Sequence, residues 1–138
     1  MTGQIEELKT MWLHLWAHLE QLADERQHYR EFFERSSEAY VVTDAYGTIG
    51  EANGAAVDIL ERRKHYLRGK PLTALIALER RAEFRCNLRA LLARGPGSQA
   101  SWCSTVVAPG ERKEVSFTAR VIARASRIGG ICWRLESS

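Results

Sequence analysis

Two histidines near the start of the chain have the most obvious capacity for chemistry. His14 and His18 have the His-x-x-x-His spacing that places two imidazoles on one face of a helix, as a zinc site requires. Leu15 stands where a zinc hydrolase would carry its glutamate, and no third ligand lies nearby in the sequence. The pair therefore predicts a solvent-facing or interface position, and not a metal centre.

The cysteine content indicates the redox compartment of the chain. Its three cysteines are an odd number, and none forms a Cys-x-x-Cys pair. They are Cys86, Cys103 and Cys132. This count argues against a disulfide framework or a zinc knuckle and favours a reducing compartment, so we expect a cytoplasmic protein.

Carboxylate pairs are the remaining candidates for catalysis. Asp44 with Asp58, or Glu79 with Glu83, has the chemistry of an acid–base pair, but no neighbouring motif would hold a substrate between them. The sequence has no Gly-x-Ser-x-Gly elbow and no dinucleotide fingerprint, and a proline follows Gly-Lys where a phosphate-binding loop needs a hydroxyl residue. The sequence predicts that the protein is not an enzyme.

The composition is that of one folded domain. The chain has 138 residues, of which 45% are hydrophobic and 27% are charged. Its longest apolar runs fall far short of the ~20 residues that a membrane helix needs. No basic region followed by an apolar core opens the chain, so we expect neither a secretion signal nor a membrane partner.

Charge is unevenly distributed along the chain. Residues 1–39 hold 4 Lys/Arg against 8 Asp/Glu, a net charge of −4, whereas residues 40–138 hold 16 against 9, a net charge of +7. The basic residues of the second part are spread along the sequence with few aromatics between them, which is typical of a solvated face. Direct nucleic-acid binding is therefore not expected from the sequence.

The N-terminal segment has the pattern of a coiled coil. Between Gln4 and Glu34 it lacks Gly and Pro, is rich in helix-forming residues, and repeats apolar side chains at alternating spacings of three and four. The residues expected at a homodimer interface are Ile5, Leu8, Trp12, Leu15, Leu19 and Leu22. Glu25 and Arg30 fall at flanking positions where they could pair between parallel helices, and Arg26 interrupts the seam. A helix that folds onto its own domain is the alternative.

The rest of the chain predicts an α+β fold. The expected elements are strands at 40–44 and 48–52, helices at 54–62, 72–77 and 79–94, and strands at 99–108, 113–125 and 131–136. Gly129-Gly130 is expected to lead into the last strand. This order gives a five-stranded antiparallel sheet with helices on one face, preceded by the long N-terminal helix. We expect a dimerisation helix at 1–35 and a second domain at 36–138.

The residues at the joints of this fold resemble those of a PAS domain, over roughly residues 31–136. The run Phe32-Phe-Glu-Arg-Ser-Ser-Glu-Ala-Tyr-Val-Val-Thr-Asp44 is similar to the family's opening, in which a helix breaks before a strand that ends in Asp. The family's pattern Asp-x-x-Gly-x-Ile-x-x-x-Asn-x-Ala-Ala follows, and Leu67-Arg-Gly-Lys-Pro-Leu72 resembles the turn before its middle helices. The structural positions in these motifs are Asp44, Gly47, Asn53 and Gly69. Physically, the two glycines permit turns with positive φ, and the asparagine caps a helix.

The resemblance implies a sensory and dimerising module that acts ahead of a kinase, cyclase or DNA-binding output. It predicts a regulatory module of a bacterial-type sensor kinase or transcription regulator, which transmits ligand or partner binding through helix packing. Two alternatives remain open. One is a flavin- or haem-binding redox or gas sensor, and the other is a ligand-free interaction domain whose pocket is filled by its own side chains.

The cofactor expectation also comes from the resemblance. Haem-binding members generally use a His on the long helix, and residues 79–94 contain none; Cys86 lies there but fits a small core residue better than a ligand. Flavin photosensors carry a cysteine motif in the middle helices, where this chain has Pro71–Ala77 without a cysteine. We expect no cofactor, with non-covalent flavin as the first alternative and haem as the second. The predicted pocket wall is Phe84, Leu88, Trp102, Phe117 and Trp133.

Overall fold

The computed structural model describes residues 2–137, apart from the side chains of residues 2–9, 12 and 16. The chain divides into two compact units, one ending at Glu34 and the other beginning at Arg35. The first unit is a single helix and the second contains the whole sheet.

Helix α1 spans Thr2–Arg35 and is exposed along most of its length. Every described side chain from Thr10 to Phe32 is exposed. Two side-chain hydrogen bonds of 3.4 Å link residues four apart on its surface, from Gln21 to Glu25 and from Gln27 to Glu31. Pairs at this spacing stabilise a helix. Leu15, Leu19 and Leu22, the predicted interface residues whose side chains are described, are therefore exposed in the single chain.

The second unit is a five-stranded antiparallel sheet with helices on one face, as the sequence predicts. Its strands are β1 (Ala39–Thr43), β2 (Ile49–Ala52), β3 (Gln99–Ala108), β4 (Glu111–Arg124) and β5 (Arg127–Ser137), in the spatial order β2-β1-β5-β4-β3. Between β2 and β3 lie α2 (Gly54–Leu60), α3 (Lys64–Leu67), 3₁₀ turns at Leu72–Leu75 and Leu78–Arg80, and α4 (Arg81–Ala93). The last strand therefore crosses back to pair with the first one.

The core lies between the sheet and the helices. Alternate residues of β4 and β5 are buried, because successive side chains of a strand point to opposite faces. The buried strand residues include Val115, Phe117, Ala119, Val121, Ile131, Trp133 and Leu135, and α4 adds Phe84, Leu88 and Leu91. One continuous apolar cluster results, in which Phe84 of α4 packs against β3, β4 and β5.

The turn between β4 and β5 is not where the sequence predicts it. β5 begins at Arg127, and the chain reverses at Ala125 and Ser126, which have φ angles of 50° and 64°. Gly129 and Gly130 lie inside the strand instead. A Cβ on Gly130 would lie 2.7 Å from the carbonyl oxygen of Thr43, so this glycine permits β1 to approach β5 closely. Helix α3 was also not expected, since the sequence around Leu67 predicts only a turn.

Both edges of the sheet are engaged by neighbouring segments. At the β3 edge, Arg94 and Arg80 donate to the carbonyls of Gln99 and Cys103 at 3.1 Å. The backbone N–H of Ala77 donates to the carbonyl of Thr105 at 2.8 Å. At the β2 edge, Thr48 forms an antiparallel bridge with Pro71. These contacts also fasten the helical segments to the sheet.

Candidate functional site

The five residues predicted to wall a pocket come together between the sheet and α4. Phe84 and Leu88 lie on α4, Trp102 on β3, Phe117 on β4 and Trp133 on β5. Phe84, Phe117 and Trp133 are at most 1% exposed, and Leu88 is 7% exposed. Helix α4 and the adjacent strands β3, β4 and β5 therefore position one group of aromatic side chains. We call it the aromatic cluster and define it as Phe84, Trp102, Phe117 and Trp133.

The rings of this aromatic cluster pack directly against one another. Phe84 stacks on Trp133 with ring centroids 5.5 Å apart and planes 14° apart. Phe84 meets Trp102 and Phe117 edge to face at 5.5 and 5.3 Å, and Trp102 meets Trp133 edge to face at 5.6 Å. These are the favourable offset and edge-to-face arrangements of aromatic pairs. The four aromatic residues of the predicted pocket wall thus lie side by side, with their rings in contact.

The two indole N–H groups of the cluster differ in their partners. Nε1 of Trp133 donates to Oγ1 of Thr43 at 3.0 Å, and that hydroxyl donates to the carbonyl of Asp44 at 2.9 Å. Nε1 of Trp102 is buried and has no hydrogen-bond acceptor among the described residues. A buried donor without an acceptor costs about 1–3 kcal/mol. A ligand oxygen that accepted a hydrogen bond from Nε1 of Trp102 would recover this free energy.

Thr43 is a site residue that the sequence analysis missed. Its side chain is 3% exposed and holds the indole of Trp133 from β1. The alternation along Ala39–Thr43, in which Val41 is buried, places Thr43 on the same inward face. That alternation was the signal that could have identified it.

The four motif positions organise the connections around β1 and β2. Oδ1 of Asp44 accepts from the backbone N–H groups of Tyr46 and Thr48, both at 2.9 Å, and Gly47 has a φ of 85°. Gly69 has a φ of 83° and its N–H donates to the carbonyl of Ile49 at 2.8 Å. Asn53 is fully buried, and its side chain caps α2 by accepting from the N–H of Ala56 at 3.0 Å. These contacts hold loops and carry no reactive group.

The three cysteines are free thiols that differ in exposure. Cys86 and Cys103 are exposed, while burial raises the pKa of the Cys132 thiol, an effect that the nearby charge of Arg120 opposes. Within the described part of the chain, no group of three or more His, Cys, Asp or Glu side chains could hold a metal ion. No helix in that part is both long enough and apolar enough to cross a membrane.

The predicted dimer interface falls partly within the described side chains. Leu15, Leu19 and Leu22 are 53%, 51% and 48% exposed on α1. The side chains of Ile5, Leu8 and Trp12 lie outside the described residues. The three described leucines follow the heptad spacing of four and three, so they share one face of the helix.

Comparison with protein families decides the classification. The chain matches the PAS fold family over residues 27–136, which is most of its length. The chain belongs to the PAS family. The match includes the whole sheet up to Glu136, the aromatic cluster and the last turns of α1. No curated protein sequence matches the chain.

Solved PAS structures share the fold of the chain at low sequence identity. The PAS domain of an HTR-like protein from Haloarcula marismortui is 14% identical with a TM-score of 0.73, covering 88% of this chain and 98% of that one. A domain of a sensory box sensor histidine kinase/response regulator from Geobacter sulfurreducens is 16% identical with a TM-score of 0.67, covering 83% and 96%. A LOV protein from Rhodobacter sphaeroides is 14% identical with a TM-score of 0.71, covering 83% and 67%. The likeness extends over nearly the entire length of the Haloarcula marismortui and Geobacter sulfurreducens domains.

Proposed function

We propose that the chain is a regulatory PAS module that forms a homodimer through α1 and passes a signal to an output domain by changing how the paired helices pack. In this proposal residues 1–35 dimerise and residues 36–138 sense. The output is a kinase or a DNA-binding domain of a cytoplasmic, bacterial-type signalling protein, and the module itself performs no catalysis. The sensor histidine kinase among its structural neighbours supports this placement.

The observation that carries the proposal is the exposed apolar seam of α1. Leu15, Leu19 and Leu22 leave about half of their surface in water. Burying apolar surface is the main driving force of helix association, and a 3.5-residue repeat brings this face to a partner along its whole length. A second copy of the chain supplies the complementary seam.

Charges beside the seam support pairing between two copies. Glu25 and Arg30 fall at the g and following e positions of the heptad, where opposite charges on parallel helices meet. Both side chains are exposed in the single chain. Arg26 occupies an a position, where it limits stability and helps to specify register.

The aromatic cluster supports sensing without a large planar cofactor. Its four rings are in contact at centroid distances of 5.3 to 6.1 Å, so a flavin would have to displace Phe84 or Trp102 to enter. The runner-up function, binding of a small ligand with a hydrogen-bond acceptor, is favoured by the buried and unpartnered Nε1 of Trp102.

Replacing Leu15 and Leu19 by Glu tests the dimer. The substitutions remove about 1 kcal/mol of apolar burial per leucine on each of two helices, so the dimer dissociation constant should rise roughly 1000-fold. Light scattering of the full chain should then give the mass of a monomer, with the sheet still folded by circular dichroism. The control is Leu13→Glu with Ala17→Glu, which adds the same charge off the seam and should remain dimeric. A dimer in the seam variant would refute the proposal.

An absorption spectrum of the freshly purified protein separates the runner-up functions. A visible band, with flavin or haem identified by mass spectrometry after denaturation, would assign a redox or gas sensor and contradict the packed cluster. A colourless protein that gains thermal stability with a small polar ligand, but not after Trp102→Phe, would assign ligand sensing to the Trp102 N–H. A colourless dimer without either response supports an interaction module.

A further inference from the structure

A strongly basic segment lies between α2 and the first 3₁₀ turn. We call residues 62–70, with the sequence Arg-Arg-Lys-His-Tyr-Leu-Arg-Gly-Lys, the basic segment. It contains five Lys/Arg and no Asp/Glu. Arg63, Lys64, Arg68 and Lys70 are exposed, and Leu67 is fully buried and fastens the segment to the core. A fixed backbone thus presents four exposed cations to solvent.

Arg63, Arg68 and Lys70 are not neutralised by carboxylates of the described residues. In the described part of the chain, the side-chain nitrogens of Arg62, Arg63, Arg68 and Lys70 have no carboxylate within 4 Å. The adjacent acid, Glu61, is instead engaged by Nζ of Lys113 at 3.2 Å, and this contact lowers its pKa. In the described part of the chain, the other acids of neighbouring elements, Asp44, Glu51 and Asp58, form no ion pair with Arg62, Arg63, Arg68 or Lys70. The segment therefore keeps a positive potential that a polyanion would neutralise.

A tyrosine ring fixes two of the cations. The guanidinium of Arg62 and Nζ of Lys70 lie 5.4 and 5.2 Å from the ring centroid of Tyr66. Cation–π attraction of this kind is worth about 0.5–1 kcal/mol at an exposed site and holds two like charges near one ring. The cations are thus partly ordered before any anion arrives, which lowers the entropy cost of binding.

The fold brings a second, uncovered tyrosine to the same edge. Residues 47–49 pair with residues 70–72: the N–H of Ile49 donates to the carbonyl of Lys70 at 2.9 Å and that of Leu72 to Gly47 at 2.8 Å. Tyr46, which precedes this ladder, is 89% exposed. It lies in the turn between β1 and β2, three residues before Ile49, the backbone partner of Lys70. The sequence places Tyr46 and the basic segment apart, so only the fold reveals the combination.

We propose that this edge binds single-stranded nucleic acid, with phosphates on Arg63, Arg68 and Lys70 and a base stacked on Tyr46. Sites that bind single strands without sequence preference combine cations that contact the phosphates of the nucleic acid with exposed aromatic rings on which bases stack. A duplex fits less well, because α3 has four residues and is too short to read a groove. An acidic peptide would use the cations but leave the exposed ring of Tyr46 without a role. This activity is independent of the proposed dimer.

Fluorescence anisotropy with a labelled oligothymidylate of about 20 nucleotides tests the proposal on the full chain. Three phosphate contacts predict an affinity that falls about 20-fold between 50 and 200 mM salt. Replacing Arg63, Arg68 and Lys70 by Gln should weaken binding by roughly 100-fold at the lower salt concentration. Tyr46→Ala should weaken it severalfold while leaving the salt dependence unchanged, because stacking releases no counterions.

Matched controls separate the site from net charge. Replacing the exposed Arg85, Arg89 and Arg127 by Gln removes the same charge elsewhere and should reduce affinity far less. Circular dichroism checks that both triple variants fold. Absence of binding at 50 mM salt, equal losses in the two triple variants, or no effect of Tyr46→Ala would overturn the proposal. Equally tight binding of polyglutamate would overturn it in favour of an acidic protein partner.

Discussion

Asn53 joins β1 to α2 through three hydrogen bonds made by one fully buried side chain. Its Oδ1 accepts from the N–H groups of Tyr40 and Ala56, both at 3.0 Å, and its Nδ2 donates to the carbonyl of Glu38 at 2.8 Å. The bonds cross 13 and 15 residues of sequence on the β1 side. We predict that Asn53→Ala is among the costliest single substitutions for the stability of the sheet unit.

The size of the effect follows from the three groups left without a partner. The N-cap bond to Ala56 is worth about 1 kcal/mol. The two other backbone groups, the N–H of Tyr40 in β1 and the carbonyl of Glu38 just before it, add about 1 kcal/mol each when they lose their partner. The free energy of unfolding should therefore fall by about 3 kcal/mol. For a chain of this size that loss lowers the melting temperature by about 10 °C.

Serine at the same position separates the cap from the bonds to β1. Asn53→Ser retains a hydroxyl that accepts from the N–H of Ala56 but is too short to reach both groups on β1. We expect it to lose about 2 kcal/mol, so that it lies between the wild type and Asn53→Ala.

Urea denaturation followed by circular dichroism is the assay, with Asn87→Ala as the control. Asn87 lies half-buried on α4, and its replacement by a better helix former should leave stability unchanged or slightly raised. A loss below about 1 kcal/mol for Asn53→Ala would refute the reasoning. Equal losses for alanine and serine would show that the cap contributes nothing.

Three further predictions concern the turn, the cluster and the thiols. Ala125→Asn with Ser126→Gly should raise the unfolding free energy by about 1 kcal/mol, because both positions have positive φ; no gain in urea denaturation would contradict the two-residue turn. Phe84→Ala should cost about 3–5 kcal/mol by leaving a cavity against Trp133, and a loss below 2 kcal/mol would mean that the cluster is not packed. At neutral pH, iodoacetamide should label Cys86 and Cys103 of the folded protein faster than Cys132. The labelling rate of Cys132 should increase as the pH rises toward the raised pKa of its thiol. All three thiols should react at equal rates in urea, and equal rates in the folded protein would disprove the burial of Cys132.

Long periodic patterns made most of the fold predictable. The alternation of β3 gives its bounds, Gln99–Ala108, as the structure has them, and the heptads predict α1. Each of the five predicted pocket residues lies on the apolar face of its own element, and periodicity predicts that much. That these faces meet is what the resemblance to a PAS domain implies.

The failures of prediction come from contacts that are not local. Gly130 reads as a turn residue, but it is needed where the carbonyl of Thr43 approaches β5. The true turn uses Ala125 and Ser126, whereas a two-residue turn with positive φ at both positions normally carries Gly, Asn or Asp. The unpartnered N–H of Trp102 and the two cations on Tyr66 likewise depend on which side chains meet in space.

Both edge strands of the sheet, β2 and β3, are contacted by neighbouring segments, and this affects whether copies of the chain aggregate at high concentration. Free strand edges template further strands, and this is a common route from folded β proteins to aggregates. Here Arg80 and Arg94 hold outward carbonyls of β3, and Pro71, which has no N–H to donate, lies against Thr48 at the opposite edge. An approaching strand would have to displace charged side chains before it could pair. Copies of the sheet unit that are held at high local concentration should therefore resist strand pairing into a fibre.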